Sequence, residues 1–297
     1  MEYRRLGNTD MNVSVLGFGG AEIGWQHSTV NEVDILLGRA LDVGCNVIDT
    51  AECYNNSEEL IGKSISHRRN DYYLFTKCGH SNGFNYKDWD PRLIEKSIDR
   101  SLKRLNTDYL DCVLLHTTPE DVLREGKVIE ALKNAKKKGK TRYIGYSGDS
   151  SAALYAVKLK AFDCLETSVN IVDQEAISLT LPKAKDAGMG VIAKRPIANV
   201  VWNYNSLPED ETIQDYWKRI KELDYNFVHQ FSDSVRQALR FTVSVPEVHV
   251  AIVGTTKPER WIQNASIINE GLLEEKIYEY IRNKWLEISR ANWIGKT

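Results

Sequence analysis

Residues Val47–Tyr54 read VIDTAECY: an apolar run, then Asp49, then Tyr54 five positions on. An apolar strand that ends in a carboxylate, with a tyrosine on the loop beyond it, is how a barrel scaffold presents acid–base groups at the C-terminal rim of its sheet. Two later runs end in the same way. LFTK closes on Lys77 and DCVLLH closes on His116. Asp, Tyr, Lys and His therefore stand at or just past the ends of three predicted strands, and such ends can converge in space.

Outward from this stretch the chain alternates. Residues 3–15 read as a small hairpin around a Gly7-Asn8 turn, and VSVLGFGG then ends in Gly17, Gly19 and Gly20. Predicted strands follow at 46–49, 72–76, 109–115, 141–146, 164–169, 190–193 and 248–253. Predicted helices separate them at 31–43, 57–66, 91–105, 120–138, 150–160, 175–187 and 233–243, and two more near 258–269 and 273–290 close the chain. Ser57 is expected to cap its helix, and Asp90 to cap the next ahead of Pro91. Residues 194–232 read as a long irregular stretch, with Tyr216 and Trp217 packing a helix inside it. Strands that are almost wholly apolar and separated by helices imply parallel pairing buried on both faces. Eight such units without a Pro/Gly-rich linker predict one (β/α)8 barrel domain over 1–297, preceded by a β-hairpin. A doubly wound sheet is the alternative, but its only glycine signal, GFGG at 17–20, lacks the GxGxxG spacing.

Composition narrows the function classes. The chain has 297 residues, 42% of them hydrophobic, and 39 basic against 41 acidic side chains. That balance argues against a nucleic-acid partner. The basic run KNAKKKGK at 133–140 reads as the solvated end of a helix. No apolar run approaches the roughly 18 residues needed to span a bilayer. The polar start MEYRRLGNTD predicts no signal peptide, and five cysteines without CxxC spacing read as free thiols in a reducing compartment, which makes the cytoplasm the expected location. Cys45, Cys78, Cys112 and Cys164 are expected to be buried; Cys53, beside Tyr54, is expected to pack, with a redox-sensitive thiol as the alternative.

The four rim residues suit one kind of chemistry. A phenol has a reference pKa near 10, too high for ready proton donation at neutral pH, and a nearby ammonium is expected to lower it. Asp49 would orient Lys77 and keep it charged, and His116 would direct a carbonyl oxygen toward Tyr54. These are the parts of general-acid catalysis of carbonyl reduction. It needs a hydride source. No cluster with metal-ligand spacing and no activated nucleophile stands out, so no metal is expected.

Over nearly its whole length the chain resembles the aldo-keto reductases. RRLGNTDMNVSVLGFGG resembles their opening hairpin and first strand, DTAECY their Asp/Tyr motif, and LFTK and LLH fall at the spacings of their Lys and His. The resemblance implies that Tyr54 is the proton donor, that Lys77 and Asp49 tune it, and that His116 positions the carbonyl. It implies an extended nicotinamide dinucleotide across the barrel top, NADPH by preference with NADH possible. Gly19, Gly20 and Asp49 would lie along it. Ser147 and Asn170 match the residues near the carboxamide, whereas Gly148, Glu166 and Val169 stand where asparagine, glutamine and tyrosine are common. The Glu166 departure is expected to affect cofactor geometry and leave the catalytic four untouched. IVGTTKPERWIQN at 252–264 resembles the phosphate loop. There Gly254, Thr255 and Thr256 would approach the pyrophosphate, Lys257 and Arg260 would pair with a 2′-phosphate, and Asn264 would lie near the adenine. A plain loop entering a helix capped by Thr256 is the other reading of GTTKPER. Arg195 would flank the cofactor, and Trp25 and Trp202 would line a substrate pocket with Tyr54 and His116.

The expectation is thus an NADPH-dependent reductase of small aldehydes or ketones, or the alcohol oxidation that uses the same groups, working as a monomer or small homo-oligomer. A cofactor-binding regulatory subunit, as in channel-associated proteins that resemble this family, is the alternative. A non-redox barrel enzyme such as an isomerase is the third reading.

Overall fold

The first strand pair stands outside the main sheet: β1 (Tyr3–Arg5) runs antiparallel to β2 (Asn12–Ser14), with Tyr3 opposite Ser14. The chain then lays down β3 (Leu16–Gly19), β4 (Val47–Asp49), β5 (Tyr73–Cys78), β6 (Leu110–His116), β7 (Thr141–Ser147), β8 (Cys164–Ser168), β9 (Gly190–Lys194) and β10 (Val250–Val253). These eight are parallel, and β10 pairs with both β9 and β3, which closes the barrel. The computed structural model describes residues 1–229 and 231–296.

The apolar strands are explained by two cores, one on each side of the sheet. Side chains alternate across a strand. Val47, Phe75, Cys112, Leu114, Cys164, Ile192, Val250 and Ile252 point inward and pack on Leu6, Met11 and Val13 of the hairpin, which plugs the N-terminal end of the barrel. Their neighbours Ile48, Leu74, Val113, Leu115, Leu165, Val191 and Ala251 belong to the outer core, against the helices. Arg4 ties the hairpin down, donating to the carbonyls of Val243 (2.9 Å) and Val248 (2.7 Å).

Several helices differ from the sequence reading. The expected helix 120–138 is two, Glu120–Glu125 and Lys127–Lys137, because Gly126 lies between them at φ 74°. The expected helix 175–187 divides at Thr180, one residue before Leu181-Pro182. Asn56, not Ser57, precedes the helix Ser57–Ile65, and the Ser57 hydroxyl donates instead to the Gly20 carbonyl at 2.7 Å. Asp90 caps Pro91–Arg104 as expected, accepting from the Arg92 amide. The stretch 194–232 carries more order than expected: a 3-10 segment Ala198–Asn203, a helix Glu211–Leu223 with Tyr216 buried in it, and a further 3-10 turn. Among the described residues no helix is long and apolar enough to cross a membrane.

Candidate active site

The inward pleat changes character toward the C-terminal rim. Two residues beyond Val47 is Asp49, beyond Phe75 is Lys77, beyond Leu114 is His116, beyond Cys164 is Glu166, and beyond Ile192 is Lys194. The period of two that builds an apolar plug at the bottom therefore builds a polar ring at the top. Parallel register aligns the ring: Gly19 stands opposite Asp49, His116 opposite Ser147, and Ser147 opposite Glu166.

Lys77 is at the centre of the ring and is buried. Its Nζ donates to Asp49 Oδ2 at 2.5 Å and to the Thr50 carbonyl at 3.0 Å. It lies 5.2 Å from the centroid of the Tyr54 ring. The His116 ring meets the Tyr54 ring edge-on, 5.8 Å between centroids. Asp49, Tyr54, Lys77 and His116 are thus gathered from the ends of β4, β5 and β6 and the loop after β4. Tyr54 is carried by a tight turn in which its amide donates to Ala51 and its carbonyl accepts from Ser57. Gly24 makes that turn possible, since any Cβ there would collide with the Tyr54 carbonyl, and Asn55 Nδ2 fastens the loop to the Gly24 carbonyl at 3.0 Å.

Glu166 enters this group, contrary to the expectation that it leaves the four untouched. Its Oε2 is 3.3 Å from Lys77 Nζ, and Ser147 Oγ donates to its Oε1 at 3.2 Å. One ammonium is therefore shared by two buried carboxylates. Burial opposes the charge on Lys77, but Asp49 and Glu166 outweigh it and hold the ammonium well above the usual lysine value. Burial, and then the charge of Glu166, hold the Asp49 carboxyl well above the usual range against the pull of Lys77. Burial also pushes the Tyr54 phenol above its ordinary value. Lys77 pulls the other way, as expected, but does not prevail, so the phenol stays protonated at neutral pH. Burial, with Lys77 second, holds His116 well below the ordinary imidazole value and keeps the ring neutral.

Around this centre, buried polar atoms without a hydrogen-bond partner among the described residues include Asp49 Oδ1 and Asn170 Nδ2; Glu166 Oε2 has its ion-pair contact with Lys77. A carboxylate acceptor and an amide donor at one rim suit a carboxamide, whose N–H donates and whose oxygen accepts. Asn170 is oriented for this by its own Oδ1, which accepts from the Val172 amide at 2.9 Å. Gly19 ends β3 beside this rim, and the amide of Gly20, which follows it, donates to the Asp49 carbonyl.

The remaining expected residues are spread unevenly. Thr255 and Thr256 form the loop between β10 and the helix Pro258–Asn269, with Lys257 at the cap position and exposed. Thr256 is not the cap; its hydroxyl donates to Gln26 at 3.2 Å. Arg260 is exposed on the first turn, whereas Asn264 is buried, its Nδ2 without a partner among the described residues. The Glu22 carboxylate lies against Gly254, and burial raises its pKa. Arg195 follows directly on β9, and its guanidinium donates to the Lys296 carbonyl at 2.6 Å. Trp25, on the short helix Ala21–Trp25, is exposed, and Trp202 is half-buried in the 3-10 segment. The loop that carries Trp202 is strained, with Arg195, Ala198, Asn199 and Val200 all at positive φ.

Sequence reasoning missed the groups that meet only in space. Glu166 was placed by the resemblance but not beside Lys77. His80 was not singled out, yet its ring lies 5.0 Å from that of His116.

The model of the aldo/keto reductase family matches residues 15–286. The chain belongs to that family. It is 28% identical over 296 residues to the uncharacterized oxidoreductase YqkF of Bacillus subtilis (strain 168), covering 93% of this chain and 94% of the relative. It is 29% identical over 286 residues to the L-galactose dehydrogenase of Arabidopsis thaliana, covering 91% and 89%. Among solved structures, the holo form of aldo-keto reductase AKR11C1 from Bacillus halodurans superposes with a TM-score of 0.82 at 26% identity, covering 96% of both chains. As an aldo-keto reductase the protein is an oxidoreductase of small-molecule carbonyl chemistry with a nicotinamide cofactor.

Proposed function

We propose that this aldo-keto reductase reduces a small aldehyde or ketone with NADPH, Tyr54 acting as the general acid. The observation that carries the reading is the contact set of Lys77: 2.5 Å from Asp49 and 5.2 Å from the ring of a phenol that faces His116. The nicotinamide supplies the hydride when bound. Tyr54 gives its proton to the carbonyl oxygen, and the charge left on the phenolate is met by the Lys77 ammonium. Asp49 fixes that ammonium through its short hydrogen bond and keeps it protonated. His116, neutral, aims the carbonyl oxygen at the phenol. Run backward, the same groups take a proton from an alcohol.

Asn170 and Ser147, with Glu166 as an acceptor, would hold the carboxamide, and the loop Gly254–Thr256 would approach the pyrophosphate. Lys257 and Arg260, exposed at the start of one helix, would pair with a 2′-phosphate, a charge-assisted contact. Loss of reduced-cofactor absorbance over a panel of sugars, aldehydes and ketones tests the reading, run with NADPH and with NADH. Turnover with NADPH preferred is expected. Cofactor binding, seen as fluorescence quenching, without turnover of any carbonyl would favour the regulatory-subunit alternative and contradict the proposal.

A further inference from the structure

Three donors meet on the rim beside the catalytic group although they come from three separate strand ends. Cys53 lies on the loop after β4, His80 on the loop after β5, and His116 at the end of β6. One ligand-capable atom of each lies within 4.8 Å of the other two, and all three residues are half-buried, so solvent reaches them. Cys53 Sγ and His116 Nδ1 are 3.4 Å apart. Bond lengths of about 2.3 Å to sulfur and about 2.0–2.1 Å to nitrogen place neighbouring ligand atoms of a tetrahedral zinc site roughly 3.4–3.6 Å apart. The Cys–His edge already has that spacing, and His80 needs to close at most about 1.4 Å more.

A second observation concerns the orientation of His80. Its Nδ1 is 3.0 Å from Asp88 Oδ2, and Asp88 is itself fixed by accepting from the Ser81 amide at 2.7 Å. A carboxylate on one ring nitrogen sets the tautomer and leaves the other nitrogen with its lone pair, which is how metal-ligating imidazoles are held. Nε2 pairs at present with the Thr117 hydroxyl at 3.2 Å, a single neutral contact that a metal can displace.

We propose that Cys53, His80 and His116 form a binding site for a divalent zinc ion, with the fourth position open to water. Binding releases one proton, that of the Cys53 thiol, and involves no electron transfer. Because His116 is a ligand, the metal withdraws it from the carbonyl and reversibly inhibits turnover. This consequence rests on the reductase reading above, whereas metal binding does not.

The test uses the whole protein, freed of metal with a chelator and titrated with cobalt(II) as the spectroscopic stand-in. One equivalent is expected to give the visible bands of a tetrahedral cobalt site and a thiolate-to-cobalt charge-transfer band. Zinc(II) affinity follows from competition with a chromophoric chelator. Cys53→Ser and His80→Gln, each checked for folding by circular dichroism, should remove the thiolate band or weaken zinc binding by about 10–100-fold. Zinc should stop wild-type turnover and a chelator restore it, while Cys53→Ser keeps turnover and loses zinc sensitivity. Absence of the thiolate band in the folded wild type, or a zinc affinity in both variants equal to that of the wild type, would overturn the site. Tight binding through these residues without inhibition would overturn the inhibitory role. A protein that turns over no carbonyl yet binds cobalt through Cys53 would leave the site standing and remove the reductase reading.

Discussion

Lys77 is a buried cation, held by Asp49 on one side and Glu166 on the other. Removing one member of such a group leaves the others uncompensated in a low-dielectric interior. Lys77→Met is therefore expected to cost about 3–5 kcal/mol in denaturant unfolding, and Lys77→Met/Glu166→Gln to recover part of that loss. Equal stability of the single variant and the wild type would show that the carboxylates are not charged against the lysine. Asp49, Tyr54, Lys77 and His116 were legible in the sequence because each ends or follows an apolar run that can only be a buried strand. The tuning of Tyr54 was half legible: the pull of Lys77 follows from proximity, but the larger push of burial depends on what covers the ring. The contacts of Glu166 with Lys77, and of His80 with His116, were not legible, because spacings of 89 and 36 residues carry no signal until the barrel closes.

Elements were read well where a local device marks them. Asp90 before Pro91 predicts a helix start, and the side chain accepts from the Arg92 amide at 2.9 Å. Asp90→Ala should lower the midpoint of thermal or denaturant unfolding without touching activity. The helix Pro258–Asn269 matches its predicted range, and its first turn carries the cofactor-selectivity prediction. Lys257→Ala/Arg260→Ala should weaken NADPH binding by roughly 10-fold or more, the worth of hydrogen bonds to a charged group, and leave NADH binding unchanged. Equal loss for both cofactors would move the 2′-phosphate contact elsewhere. Elements were misread where the device is weak or absent. Gly126 was absorbed into a helix because one glycine costs little there on propensity alone. The helix inside 194–232 is expected from Tyr216 and Trp217, but its bounds, Glu211–Leu223, are not; Tyr216 and Ile220 supply its buried stripe, and Tyr216 OH reaches Asp173 at 2.7 Å.

For the molecule as a whole, the eight parallel strands and the hairpin follow from the alternation of apolar runs and amphipathic helices, because a parallel strand must be covered on both faces. The closing contacts of the C-terminal segment do not. They are polar and irregular, and they end on Asp173, which accepts from Tyr216 and from the Lys296 amide. Burial, and then the Asp149 charge, raise the Asp173 carboxyl from 3.8 to about 7, against the pull of Tyr216 and Arg219. The folded state thus binds this proton more tightly than the unfolded chain. Its contribution to stability is complete below 3.8 and is lost as pH rises through about 7. Asp173→Asn should remove that dependence. Wild-type stability is expected to fall relative to the variant by a few kcal/mol over this window, followed by urea unfolding at several pH values; parallel curves would contradict the assignment. The central claim, that this barrel delivers a proton from Tyr54 to a carbonyl, is tested most directly by measuring turnover and NADPH affinity side by side in Tyr54→Phe. The account predicts a fall in kcat of about 10²–10⁴-fold with NADPH affinity unchanged. A variant that reduces carbonyls at the wild-type rate would contradict it.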